Sequence, residues 1–139
     1  MEIIANALQT VQSNQNVYFT DAITCGNCAI THRDGSGLVT LRGVTTQCRA
    51  RFKVTFGGNI SVPAAGTVEA ISLALTLEGE PIQATTMIFT PAAVDQFGNV
   101  FTAAFIDVPR GCCQTIGVRN ISTQAINVQN ANLIVERTS

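Results

Sequence analysis

The chain has 139 residues, which is enough for one domain with a sizeable buried core. Its basic and acidic residues nearly balance, 8 against 9, which gives no electrostatic signature for nucleic acid and no polybasic signal for a membrane surface. Charged residues make up only 12% of the chain and hydrophobic residues 46%, which excludes disorder. Because the cores of protein interfaces are depleted in charge, this composition predicts an obligate oligomer.

The first fifteen residues are predicted to form an N-terminal arm, followed by one folded domain over residues 16–139. Ile3, Ile4, Ala7, Leu8 and Val11 recur at helical spacing, although an isolated helix of this length is marginal in water. Two interpretations stay open. The segment is either a first strand or arm packed on its own domain, or a docking arm that inserts Ile3, Ile4 and Leu8 into a neighbouring subunit. It lacks the basic and apolar regions of a secretory signal, so none is expected.

β-Branched residues dominate the rest of the chain, and they favour strands. The clearest strand is 49–56, where Ala50, Phe52, Val54 and Phe56 alternate with polar residues. Further strands are predicted at 16–23, 29–33, 38–43, 71–77, 85–90, 100–108, 115–120 and 132–137. Turn-forming residues punctuate the chain at 34–37, 57–59, 64–66, 78–81, 97–99, 109–111 and 120–127. This spacing predicts an all-β, single-domain antiparallel sandwich of the jelly-roll type.

Five cysteines are many for a chain synthesised in the cytoplasm: Cys25, Cys28, Cys48, Cys112 and Cys113. Cys25 and Cys28 have the spacing of half a zinc site, which His32 or another cysteine could complete. The sequence has no second pair with this spacing. Three interpretations stay open: zinc, disulfides involving Cys25, Cys28, Cys112 and Cys113, some of them between subunits, or buried free thiols. We expect no metal and no cofactor. Cys48 continues the apolar face of strand 49–56 and is predicted to lie in the core.

No catalytic residue is predicted, and the chain is expected not to be an enzyme. His32 is the only histidine, and no serine lies in a nucleophile-elbow pattern, so His32 is expected to be a solvated loop residue. The acidic residues form neither a calcium loop nor the paired-carboxylate pattern of a glycosidase.

Two surfaces are candidates for contact with other molecules. The polar face of strand 49–56 carries Arg49, Arg51 and Lys53, which are expected to be solvated or paired with Glu69 or Glu78 rather than bound to an acidic partner. The Asn- and Gln-rich segment 124–132 is expected to form hydrogen-bond ladders around a symmetry axis. The candidate subunit-packing residues are Phe97, Phe101, Phe105, Val128 and Leu133.

Several segments, taken in order, resemble the C1q/TNF-like jelly-roll family. Residues 131–137 are similar to its closing strand, a small residue and three apolar residues followed by Glu-Arg. Residues 51–56 resemble its central strand, where an aromatic residue opens an alternating pattern, and 71–81 resemble the hairpin that follows. The resemblance implies a homotrimer. The cysteine set and the absence of tryptophan depart from the family pattern, and phenylalanine would have to replace the tyrosine common near the axis of eukaryotic members.

The whole sequence also resembles short virion-type proteins of gut Firmicutes phages and prophages, on the segments 1–11, 38–43, 108–113 and 124–130. This resemblance implies a bacteriophage structural protein, a homotrimeric capsid decoration or fibre-head protein located in the virion. Its expected partners are copies of itself and other virion proteins such as the major capsid protein, with no nucleic acid and no membrane. A host glycan is left open. The alternative is a self-assembling extracellular appendage or spore-surface subunit linked by cysteines.

Overall fold

The computed structural model describes residues 1–24 and 29–138, in which strands predominate and one short 3-10 turn, Gln83–Thr85, is present. The strands in chain order are β1 (Glu2–Ala5), β2 (Gln9–Val11), β3 (Asp21–Thr24), β4 (Ile30–His32), β5 (Leu38–Arg42), β6 (Arg49–Ser61), β7 (Ile71–Leu77), β8 (Glu80–Pro81), β9 (Met87–Phe89), β10 (Gly98–Pro109), β11 (Cys113–Asn120) and β12 (Ile126–Arg137).

The strands form two antiparallel sheets. Sheet I has the order β10-β6-β12-β1-β3, with β2 also pairing with β12. Sheet II has the order β4-β5-β11-β7-β8, with β9 also pairing with β7. Successive long strands alternate between the sheets, since β5, β7 and β11 belong to sheet II while β6, β10 and β12 belong to sheet I. This is the layout of a jelly-roll sandwich, and it confirms the predicted fold class.

The core lies between the two sheets and follows from the alternation of the strands. In β6, Ala50, Phe52, Val54 and Phe56 are all completely buried, as the period-two pattern predicts. The ring of Phe56 meets Phe19 edge to face, with the ring centroids 6.4 Å apart. Phe19, Phe52 and Phe56 are the bulkiest of the completely buried side chains, so they fill the centre of the sandwich.

The N-terminal segment contributes its first strand to sheet I. β1 lies between β12 and β3, with Ile3 opposite Leu133 on one side. Ile3 and Ala5 point into the core while Ile4 is only partly buried, which is strand periodicity rather than helical periodicity. Of the two interpretations, the structure therefore favours a first strand over a free docking arm for residues 2–5.

The turn predicted at residues 57–59 is wrong, because β6 continues through these residues to Ser61. Gly57 and Gly58 pair with Phe101 and Val100 of β10. A β-carbon at Gly58 would lie 3.4 Å from the Cα of Ala131, next to the shift in register between β6 and β12. That distance is an ordinary van der Waals contact, so the two glycines here are residues within a strand and do not reverse the chain.

Gly43 is expected to be intolerant of even a methyl group. A β-carbon there would lie 2.1 Å from the carbonyl oxygen of Pro109, a backbone atom that cannot rotate away. We expect Gly43→Ala to destabilise the fold by about 1–3 kcal/mol through overpacking, measured by the urea midpoint. In the matched control Gly57→Ala, the new methyl meets nothing closer than 3.9 Å. Equal midpoints for the two variants would contradict this prediction.

Candidate subunit interface

Strand β10 is a long edge strand that exposes phenylalanine. It has 12 residues and forms one end of the strand order in sheet I, where it pairs with β6. Val100, Ile106 and Val108 face the core, whereas Phe101 and Phe105 are 65% and 64% exposed. An exposed, apolar edge strand of this length is a surface that soluble proteins normally cover or blunt.

The outward residues of the neighbouring strands extend this surface across sheet I. Ala103 of β10 lies opposite Thr55 of β6, and Thr55 lies opposite Ile134 of β12, which is 38% exposed. Phe101 lies opposite Gly57, which has no side chain to cover the phenylalanine ring. We call the outward surface formed by Phe101, Ala103, Phe105, Thr55 and Ile134 the phenylalanine face.

A charged cluster borders the phenylalanine face at one end. Arg51 donates to Asp107 with 2.8 Å between Nε and the carboxylate oxygen, and Arg49 lies 3.6 Å from the same carboxylate. The Arg51 guanidinium also lies over the ring of Phe105, 5.9 Å from its centroid. Arg49 and Arg51 of β6 thus pair with Asp107 of β10 and not with Glu69 or Glu78, while their side chains stay partly solvated. An apolar centre with a polar rim is the usual composition of a protein interface.

The hydrogen bond from Arg51, aided by the charge of Arg49, holds the pKa of the Asp107 carboxyl below its ordinary value. A depressed folded-state pKa means that the stabilisation is present above the unfolded pKa of about 3.9 and is lost as the pH falls through the folded pKa. Since these side chains are 39–44% exposed, solvent screens the ion pairs, and we expect Asp107→Asn to lower the urea midpoint only slightly at neutral pH. The difference in urea midpoint between the variant and the parent protein should vanish at a pH below the folded pKa of Asp107. A difference that grew on acidification would contradict the assignment.

The other candidate packing residues occupy different environments. Phe97 lies just before β10 and is 42% exposed. Val128 and Leu133 of β12 are 0% and 1% exposed, in the core between the sheets. The structure corrects the prediction for these two residues, because their position in the inward register of β12 uses them for packing within the subunit.

The three residues proposed for docking also differ in their burial. Ile3 is completely buried and Ile4 partly buried, as described above. Leu8 is 54% exposed and, with the 51% exposed Tyr18, lines a shallow apolar groove of about 220 Å³. Only Leu8 of the three therefore presents most of its side chain at the surface.

The cysteines that the structure describes are free and exposed: Cys48, Cys112 and Cys113. Cys48 is not a core residue, because it precedes β6 and its place in the alternation lies beyond the end of the sheet. Cys25 and Cys28 fall outside the described residues, so the predicted disulfides and the zinc alternative stay untested at those positions. Within residues 1–24 and 29–138, no three histidine, cysteine or acidic side chains are grouped closely enough to hold a metal ion.

His32 is a strand residue with a buried ring, not a solvated loop residue. It lies opposite Val39 in sheet II, and its side chain is 1% exposed. Nε2 lies 3.0 Å from the carbonyl oxygen of Ser36, and the ring meets Phe19 edge to face. The sequence pattern around His32 is short and ends in a turn, which is why its burial was missed.

Asparagine side chains act within the subunit. Asn120 is completely buried and donates to the carbonyl oxygens of Val11 and Gln124, both at 2.9 Å, while its own oxygen accepts from the Ser122 backbone. Sequence reasoning missed this network, because it joins residues 120–124 to Val11, which is 109 residues away in the chain. It closes the connection between β11 and β12 and satisfies buried backbone groups there.

No helix in the part of the chain that the structure describes is long and apolar enough to cross a membrane. No protein-family model matches the sequence, and no curated protein matches it either.

Solved structures with the same fold are found nonetheless. The globular domain of zebrafish complement 1qA has a TM-score of 0.63 at 13% identity, covering 96% of this chain and 93% of that one. The Eiger TNF from S. frugiperda has a TM-score of 0.69 at 13% identity, covering 100% and 92%. Murine APRIL has a TM-score of 0.58 at 9% identity, covering 95% and 96%. The chain therefore has the C1q/TNF-like jelly-roll fold.

Proposed function

We propose that this protein is a non-enzymatic structural protein that trimerises and decorates a phage particle, as a capsid decoration or fibre-head protein. The observation that carries the oligomer is the phenylalanine face, where two aromatic rings about two-thirds exposed lie on a 12-residue edge strand. The low content of charged residues, 12%, supports the same conclusion. The virion role rests on the sequence resemblance.

Three copies would pack with their phenylalanine faces around a three-fold axis. In a closed ring each subunit contacts its neighbours through two different surfaces, so the edge strand β10 of one copy would pack on a neighbour's surface. Burial of Phe101 and Phe105 would remove apolar area from water and cover the free edge of β10. The action of such a protein is mechanical: one end of the trimer would dock on the capsid lattice, with the major capsid protein as the expected partner.

The oligomer is tested by the mass of the native protein in solution, measured by light scattering with and without reductant. Three chains, unchanged by reductant, are expected. A monomer would overturn the trimer and leave the phenylalanine face without a partner. The virion role is tested separately by mass spectrometry of purified particles from a host that expresses the gene. Its absence from the particles would overturn that role without affecting the trimer.

The alternative is a self-assembling extracellular appendage or spore-surface subunit linked by cysteines. The exposure of Cys48, Cys112 and Cys113 favours it, because buried thiols could not reach a neighbour. Electrophoresis without reductant separates the two functions. A ladder of covalent multimers that collapses with reductant supports the appendage, and a single band supports the non-covalent trimer.

A further inference from the structure

We propose that Cys113 is a site of reversible modification by anionic low-molecular-mass disulfides of the glutathione type. Cys113 opens β11 and is exposed as a free thiol. It lies directly opposite Arg42 in the pairing of β11 with β5. Residues directly opposite in an antiparallel pair point to the same face, with their β-carbons about 4.5–5.5 Å apart. The thiol and the guanidinium stem are therefore neighbours on the outer face of sheet II.

The connections next to Cys113 concentrate positive charge. Residues 42–51 and 107–114 contain four arginines, Arg42, Arg49, Arg51 and Arg110, but one acidic residue, Asp107. Backbone hydrogen bonds hold the two segments together, from Arg110 to Cys48 at 3.0 Å and from Gly43 to Cys112 at 2.8 Å. The chain has a net charge of -1, yet half of its basic residues lie in these two adjoining segments.

Two of these arginines form no ion pair with a carboxylate in the described part of the chain and are available to an incoming ligand. Asp107 pairs with Arg49 and Arg51. Within residues 1–24 and 29–138, Arg42 and Arg110 have no such carboxylate partner. The carboxylate of Glu78 has a different partner, because it accepts a hydrogen bond from the backbone nitrogen of Thr115 at 2.5 Å.

The charge selects between two kinds of disulfide. A second copy would present the same cationic end, so direct linkage of two Cys113 thiols brings like charges together. An anionic disulfide is attracted instead, and its carboxylates match the guanidinium groups. The Cys113 thiolate attacks one sulfur of oxidised glutathione, the disulfide bond breaks, and a new bond joins Cys113 to that sulfur. The released glutathione thiolate takes up the proton that Cys113 lost, so the exchange is balanced without a further oxidant.

The test compares two disulfides of opposite charge on the reduced full-length protein. Oxidised glutathione, an anion, and cystamine, a cation, are added at equal concentration, and mixed-disulfide formation is followed by intact mass spectrometry. Each rate is divided by the rate of the same disulfide with a free cysteine peptide. At low salt we expect this relative rate to be about ten times higher for oxidised glutathione than for cystamine. The preference should shrink at about 1 M salt, where the screening length falls to about 3 Å. Equal relative rates would overturn the proposal.

Variants locate the reactive thiol and the charge that guides the reagent. Peptide mapping should find the first glutathionyl group on Cys113, and Cys113→Ser should remove the fast reaction while Cys48→Ser keeps it. Arg42→Gln should slow the reaction severalfold. Arg33→Gln, an equal charge change beyond the other end of β4, is the matched control. First modification at any other cysteine, or disulfide-linked dimers formed before the mixed disulfide, would overturn the assignment to Cys113.

Discussion

Replacing Phe101 and Phe105 together by glutamate is expected to convert the oligomer into monomers. Both rings are about two-thirds exposed in the single subunit, so the substitutions leave its core untouched. In the oligomer each ring would be buried, and a buried phenylalanine contributes about 1.5–3 kcal/mol. The loss of two at each contact weakens association by about two to four orders of magnitude, before the charge repulsion is counted. Light scattering of the native variant measures the outcome.

The matched control for this prediction is Ile88→Glu. Ile88 is 67% exposed, the same degree as the phenylalanines, but it belongs to β9 of sheet II. The change adds the same charge to an equally exposed apolar residue on a different sheet, and it should leave the mass of the oligomer unchanged. An oligomer that survives the double substitution, or that dissociates only in Ile88→Glu, would place the interface elsewhere.

Phe56→Ala is expected to be among the most destabilising single changes in the chain. Its ring is completely buried at the centre of the sandwich and packs edge to face on Phe19. The truncation removes apolar contact and leaves a cavity, because β6 is fixed on both sides by β10 and β12. Substitutions of this kind cost about 3–5 kcal/mol of unfolding free energy. For a domain of this size that is a large fraction of the total stability.

The urea midpoint measures this loss, and Ile88→Ala provides the comparison. Since Ile88 is mostly exposed, its truncation should change the stability by no more than about 0.5 kcal/mol. Comparable midpoint shifts for the two variants would mean that Phe56 is not central to the core.

The strands with strict alternation were predictable from the sequence. Residues 49–56 show it most clearly, because each inward residue is apolar and each outward residue polar or charged. The prediction failed where a residue type has two uses. Gly57 and Gly58 are typical of turns, yet here they continue β6 and pair with Phe101 and Val100 of β10. The last strand, predicted at 132–137, already begins at Ile126, because residues 126–129 pair with β2 and β6.

The candidate interface was predictable only in part. Phe101, Phe105, Val128 and Leu133 are equally apolar in the sequence, and only the register of β10 and β12 separates the first two from the last two. Alternation fixes which residues of a strand share a face, but not which face meets the opposite sheet. Cys48 shows the same limit, since a strand pattern does not say where the sheet ends.

The sequence by itself determined the class of this protein: an all-β domain with a deficit of charge, built from alternating strands. Local patterns suffice for this, because side-chain direction in a strand has a period of two. Only the tertiary structure decided that β1 joins sheet I, that β10 is an edge strand, and that Cys113 lies beside Arg42. Each of these depends on pairing between segments far apart in the chain, and the partner of a strand is not written in its own residues.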